Sequence, residues 1–154
     1  MTEAAQENNQ PSFTIEKIYV KDLSLEIPHA PQIFLERESP QINVQLNTQA
    51  APIEADLHEV TITTTVTARV GEKVMFLIEA KQAGIFHMSN LPGEDMKPAL
   101  AVMCPNILFP YLREVVSNTA VRAGFAPLML NPVNFDALYH QQQQAQAQAA
   151  TTAH

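Results

Sequence analysis

From Leu57 to Phe86, apolar and polar side chains alternate in two runs separated by Val70-Gly71-Glu72-Lys73, which predicts a β-hairpin with a tight turn at its glycine. In the first run Val60, Ile62, Val66, Ala68 and Val70 fall on one face, with Glu59, Thr61, Thr63, Thr65, Thr67 and Arg69 on the other. In the second run Val74, Phe76, Ile78 and Ala80 continue the apolar face, but the reverse face carries Met75 and Leu77 before Glu79 and Lys81. A single sheet in a domain of this size needs cover on one face only. Met75 and Leu77 are therefore expected either to meet another chain or to lie under a local helix or loop.

Upstream, FTIEKIYVKDLSLEIP is a long strand candidate whose parity slips twice. Phe13 and Ile15 share one parity, Ile18 and Val20 the other, and Leu23, Leu25 and Ile27 return to the first, so a bulge or bend is expected at each slip. His29 to Pro40 is a proline-bracketed loop in which Ile33, Phe34 and Leu35 either plug the domain edge or help line a groove. Ile42 to Asn47 reads as a short strand, and residues 48–56 as the connection into the hairpin. The strands are expected to end at Phe86, before the turn-rich HMSNLPGEDMKP.

Further on, Leu108, Leu112, Val115, Val116, Thr119 and Ala120 recur at spacings of three and four, which predicts an amphipathic helix with Pro110 in its first turn and Gly124 past its end. FAPLMLNPVN is irregular yet apolar, and Asn134 is an N-cap for a last helix bearing Phe135, Leu138 and Tyr139. Residues 1–12 are expected to be a disordered arm and residues 141–154, QQQQAQAQAATTAH, a disordered tail, leaving one domain over residues 13–140.

Charge narrows the partners. Sixteen acidic against nine basic residues give a net charge of -7, which disfavours nucleic acid and favours a basic partner. The single cysteine, Cys104, has no basic neighbour to lower its pKa and reads as an inert thiol. The N-terminus has neither the basic nor the apolar region of a leader, and no run approaches the roughly 18 apolar residues of a membrane span, so the expectation is a soluble cytoplasmic protein without direct membrane insertion. The four glycines are too dispersed to cradle a phosphate, and the five histidines lack metal-ligand spacing, although His58 and His87 flank the hairpin. Asp22 and Glu26 share one strand face but stand about 13 Å apart at ~3.3 Å per residue, too far for an acid and base acting on one bond. No cofactor, no metal and no enzyme are expected. A binding protein remains, one alternative being a carrier whose apolar loops close over a small apolar ligand.

Cys104-Pro105-Asn106-Ile107-Leu108-Phe109-Pro110-Tyr111, then Arg113-Glu114, then Asn131-Pro132-Val133-Asn134-Phe135-Asp136-Ala137-Leu138 together resemble the SecB family of bacterial protein-export chaperones. IYVKDLSLE at residues 18–26 and FLIEAKQAGIF at residues 76–86 extend the resemblance over about residues 13–139. It implies an α+β fold with a four-stranded antiparallel sheet and two helices packed on one face, assembled as a homotetramer that is a dimer of dimers. It also implies an ATP-independent holdase that keeps preproteins unfolded in the cytoplasm and delivers them to the translocation ATPase SecA. By the family pattern, Asp22, Glu26, Leu77 and Glu79 dock SecA, whose zinc-carrying tail is basic. Ile42, Val44, Leu46, Leu128, Met129, Phe135, Leu138 and Tyr139 line a groove for unfolded clients, and Phe76, Ile78 and Ala80 contribute to the oligomer interface. This sequence departs from some family members in having no tryptophan, with Phe34 the only aromatic of the loop before the short strand, and in its Gln/Ala tail.

Overall fold

The computed structural model describes residues 9–152. Four strands, β1 (Ser12–Glu26), β2 (Gln41–Glu54), β3 (Leu57–Val70) and β4 (Lys73–Ser89), form one antiparallel sheet in the order β1-β4-β3-β2. Gly71 adopts the positive φ of 61° that the β3–β4 turn requires and that L side chains resist. A short 3-10 turn, Gln32–Leu35, interrupts the crossover from β1 to β2. A helical run follows the sheet: α1 (Gly93–Pro98), a π-helical turn (Ala99–Met103) and α2 (Cys104–Arg122), with α3 (Phe135–Thr152) after a loop.

β1 carries both expected bulges. Its register against β4 shifts between Ile15 and Lys17 and again between Val20 and Asp22. Residues directly paired across a ladder share a face, and the pairs Ile15↔Phe86, Ile18↔Gly84, Val20↔Gln82, Leu23↔Ala80 and Leu25↔Ile78 therefore put the whole apolar series of β1 on one side of the sheet. That side is the one α2 covers, because a Cβ at Gly84 would fall 3.0 Å from Leu108. Two slips in the sequence thus become one continuous apolar face.

A third bulge answers the question of the two-faced strand. Ala68 pairs with Phe76 and Arg69 with Val74, which leaves Met75 as the extra residue. Met75 is 7% exposed and belongs to the core cluster, whereas Leu77 stays on the reverse face, half-buried. α2 lies over β3 and β4, and its Leu108, Leu112 and Val116 are fully buried with Val60, Ile62, Val66 and Ile78 of the sheet. Each such side chain contributes about 1.5–3 kcal/mol on removal from water.

The structure extends the elements beyond their sequence-based limits. β2 continues through residues 48–54, turning into β3 at Asp56, whose φ is 65°. β4 reaches Ser89, and residues 93–103 are helical rather than turn. Because the run begins so early, Pro105 is the proline of the first turn of α2 and Pro110 sits in the helix interior, contrary to expectation. The run Gly93–Arg122 spans 30 residues and contains an 18-residue window of mean hydropathy 1.3, enough by length and composition to cross a membrane, but it packs along the sheet as a core helix. Residues 141–152 of the Gln/Ala-rich stretch, expected to be disordered, continue α3, with residues 141–151 exposed. Ala and Gln are strong helix formers, so local propensity supports a helix where no apolar stripe calls for one. Residues 1–8 of the expected arm lie outside the described residues, and Ser12 already belongs to β1.

Candidate functional site

α2 ends in a motif that builds one wall of a groove. Gly124 donates its N–H to the Val121 carbonyl at 3.0 Å and Phe125 donates to that of Ala120 at 3.0 Å, the paired bonds of a Schellman cap, with Gly124 at φ 93°. The cap throws Phe125 across the end of the sheet, where its ring centroid lies 4.8 Å from that of Phe76 and 5.1 Å from that of Phe34. These three rings, with Met75, Ile42 and the loop residues Leu128 and Met129, line a cavity of about 490 Å³. Phe34 is 47% exposed and Met129 73% exposed, so the walls are accessible from solvent. Of the crossover loop, Ile33 is buried as a plug and Phe34 lines the cavity, so both roles considered for this segment occur side by side, while Leu35 is exposed outside it.

Not every residue expected in the groove reaches it. Ile42, Leu128 and Met129 do. Val44 shares the helix-covered face of β2 with Ile42 and is exposed, whereas Leu46 is half-buried against the core. Phe135 is 2% exposed and packs edge-on against Phe109 at 5.9 Å, so it anchors α3 and has no free surface for a client. Leu138 is exposed and Tyr139 half-buried on α3, and neither lines the cavity. Sequence reasoning missed Met75 and Phe125. The second had a legible signal in Gly124-Phe125, since a glycine closing a helix fixes where the next side chain points.

Phe76, Ile78 and Ala80, expected at an oligomer interface, are 2%, 0% and 1% exposed within the single chain. α2 already covers them, so they cannot meet another copy directly. The apolar residues left uncovered on that side lie at the edge instead: Ile15, Val20, Leu23 and Leu25 of β1 are 38–47% exposed.

The reverse face of the sheet is polar. Asp22 pairs with Lys81, Ser24 with Glu79 and Glu26 with Leu77, which brings Asp22, Glu26, Leu77 and Glu79 together at one end of that face, the three carboxylates exposed around half-buried Leu77. Toward the other end, Tyr19 and Lys21 of β1 reach across β4 to Glu59 of β3. The Tyr19 hydroxyl donates to one carboxylate oxygen and Lys21 Nζ to the other at 2.7 Å. Lys21, followed by Tyr19, holds the Glu59 carboxyl below its usual range, while burial and the Glu59 carboxylate push Tyr19 up to about 12.

Among the described residues, no group of three or more His, Cys, Asp or Glu side chains is arranged to hold a metal. His58 pairs with Phe86 and His87 with Leu57, consecutive positions whose side chains point to opposite faces. Burial pushes the Cys104 thiol up to about 12, which keeps it protonated and inert.

The family described as preprotein translocase subunit SecB matches residues 6–146. Protein-export protein SecB of Nitrosomonas eutropha is 64% identical over 96% of this chain and 91% of that protein, and its counterpart in Nitrosomonas europaea is 63% identical over 94% and 89%. The Methylobacillus flagellatus protein of the same name is 55% identical over 97% of both. Among solved structures, a SecB-like chaperone of Mycobacterium tuberculosis in complex with an antitoxin peptide shares the fold, with a TM-score of 0.65 at 17% identity over 79% of this chain and 90% of that one. The chain belongs to the SecB family.

Proposed function

We propose that the protein is an ATP-independent holdase that keeps preproteins unfolded in the cytoplasm and hands them to SecA, working as a homotetramer without an enzymatic step. The open aromatic groove carries the reading: Phe34, Phe76 and Phe125 with Ile42, Leu128 and Met129 offer an apolar surface that a folded client, having buried its own, cannot use. Burial is non-directional and methionine adapts its shape, so such a groove accepts many sequences. Each client side chain gains about 1.5–3 kcal/mol against the cost of ordering the peptide, so one groove binds weakly and repeated grooves in one assembly bind by avidity.

On the reverse face, Asp22, Glu26 and Glu79 around Leu77 form an acidic rim about an apolar spot, suited to the basic tail of SecA. Opposite charge steers such an encounter and makes it sensitive to salt. Copies associate through β1, whose free edge and half-exposed Ile15, Val20, Leu23 and Leu25 lack cover within the chain.

The purified protein should slow the refolding and aggregation of a chemically unfolded preprotein without added nucleotide, and its native mass should be that of four chains. No delay of refolding, or a stable monomer, removes the reading.

A further inference from the structure

The second bulge of β1 decides which face carries the carboxylates. Tyr19 faces the polar side, opposite Ala83, and Val20 the helix side, opposite Gln82. In a regular strand Lys21 would be polar-side and Asp22 helix-side, because successive side chains alternate. The bulge at Lys21 adds one residue, and Asp22 and Glu26 emerge instead on the polar side, paired with Lys81 and Leu77. Were Lys21 paired in a regular strand instead, Leu23 and Leu25 would face the polar side and the carboxylates would turn under the helix.

The bulge is fastened from both sides of the sheet. On the polar side Tyr19 and Lys21, the residues at and before the bulge, converge on Glu59 two strands away. Ala83, fully buried and opposite Tyr19 on the intervening strand, leaves room for that reach. On the helix side Gln82, 3% exposed in a mainly apolar face that also buries Thr64, donates its amide N–H to the Tyr19 carbonyl at 3.1 Å, its Oε1 having no partner among the described residues. A buried glutamine here costs desolvation unless it does something an apolar side chain cannot. What it does is bond a backbone group at the irregularity.

We propose that Gln82, Tyr19 and Glu59 are positioning residues for the docking of SecA: they pin the β1 bulge and so hold Asp22 and Glu26 on the face that carries Leu77 and Glu79. This rests on the reading of that face as the SecA surface, deepening it from the residues that touch the partner to those that place them. None of the three needs to touch SecA, and none lines the client groove.

The test uses the full-length assembly and three measurements: affinity for SecA, affinity for an unfolded preprotein, and amide hydrogen exchange over residues 20–26. Replacing Tyr19→Phe together with Gln82→Leu removes the Tyr19–Glu59 and Gln82–Tyr19 hydrogen bonds at nearly constant volume and leaves Lys21 as the remaining partner of Glu59. The expected result is faster exchange over residues 20–26, a roughly tenfold loss of SecA affinity (about 1.4 kcal/mol), and unchanged client binding. Should the pair fail to fold, Tyr19→Phe alone keeps the ring over Ala83 and should show the same pattern with a smaller loss. Faster exchange with full SecA affinity overturns the proposal, as does loss of SecA affinity without any change in exchange. Asp22→Asn with Glu26→Gln separates the two layers. Full SecA affinity in that variant overturns the docking surface and the clamp with it, whereas loss there but not in the clamp variants overturns the clamp alone.

Discussion

The rings of Phe34 and Phe125 are stacked 5.1 Å apart and 20° from parallel, and a Cβ on Gly124 would fall 3.1 Å from the Phe34 ring. Gly124 therefore does two things at once: at φ 93° it closes α2, and by lacking a side chain it lets the loop aromatic settle against the helix end. Gly124→Ala strains the backbone and pushes Phe34 away from Phe125, and is expected to cost about 1 kcal/mol or more of stability. Its larger effect should be on client affinity, because the stacked wall opens. Phe34→Ala serves as the control, losing the wall without the strain. Fluorescence titration with an unfolded preprotein and thermal unfolding separate the two, and undiminished client binding in both variants would show that this cavity is not the client groove.

The two faces of the sheet should fail independently. Leu77 and Glu79 lie on the polar face, whereas the groove opens on the helix-covered side, lined by Met75 and Phe76, with the sheet between the two. Leu77→Arg with Glu79→Lys is expected to abolish SecA binding by like-charge repulsion while leaving preprotein affinity within about twofold, since sites without shared partners act additively. Measured SecA affinity of the unaltered protein should also fall as salt rises toward ~0.5 M, where screening shortens to a few ångströms. Equal loss of both affinities would mean that the faces have been assigned wrongly.

Phe135 and Leu138 stand three positions apart on α3 and should behave as opposites. Phe135 is buried against Phe109, so Phe135→Ala should destabilise the protein by about 3–5 kcal/mol and loosen the attachment of α3. Leu138 is 40% exposed, and Leu138→Ala should leave the unfolding midpoint unchanged within about 0.5 kcal/mol. If Leu138 contributes to client binding, it does so outside the aromatic cavity, and Leu138→Ala will lower preprotein affinity only for clients long enough to reach α3. Equal destabilisation by the two substitutions would refute the placement of Phe135 as the anchor.

How much of this was legible beforehand follows from where the information sits. The alternation of β3, the glycine of its turn and the double parity slip of β1 are local patterns, and each appears in the fold where the sequence places it. The resemblance then brought Asp22, Glu26, Leu77 and Glu79 to one face, and the register agrees, because the second slip in β1 moves the carboxylates to the side of Leu77. Burial was harder to read. Phe76, Ile78 and Ala80 look equally apolar whether they meet a helix of their own chain or another subunit, and only the position of α2 decides between the two. Spacing puts Met75 on the reverse face, yet it is covered within its own chain, one of the two placements expected, because the bulge in β4 leaves no mark in the spacing of its own strand and exists through the mismatch with Ala68 and Arg69. The helical Gln/Ala segment shows the converse, a stretch that a low-complexity composition suggests is disordered although its residues favour helix.

The Tyr19–Glu59–Lys21 cluster should print its own signature on stability against pH. Tyr19 is pushed from its ordinary 10.0 to about 12 by burial and by the Glu59 carboxylate, so the folded state favours the neutral phenol. The stabilisation this brings is fully present below pH 10 and is lost as pH rises toward 12, because the unfolded chain ionises first and the folded one follows. Glu59 shifts the other way: Lys21 and Tyr19 hold its carboxyl below the ordinary 4.5, so its contribution is present above that value and fades as acid protonates the folded carboxyl. Tyr19→Phe deletes the alkaline component and weakens the acid one, leaving Lys21 as the remaining partner of Glu59. Unfolding midpoints measured from pH 9 to 12 should therefore fall more steeply for the unaltered protein than for Tyr19→Phe, with the two curves converging at the alkaline end. Parallel curves would mean that the hydroxyl does not engage Glu59 in solution, and the bulge would lose one of its two fastenings.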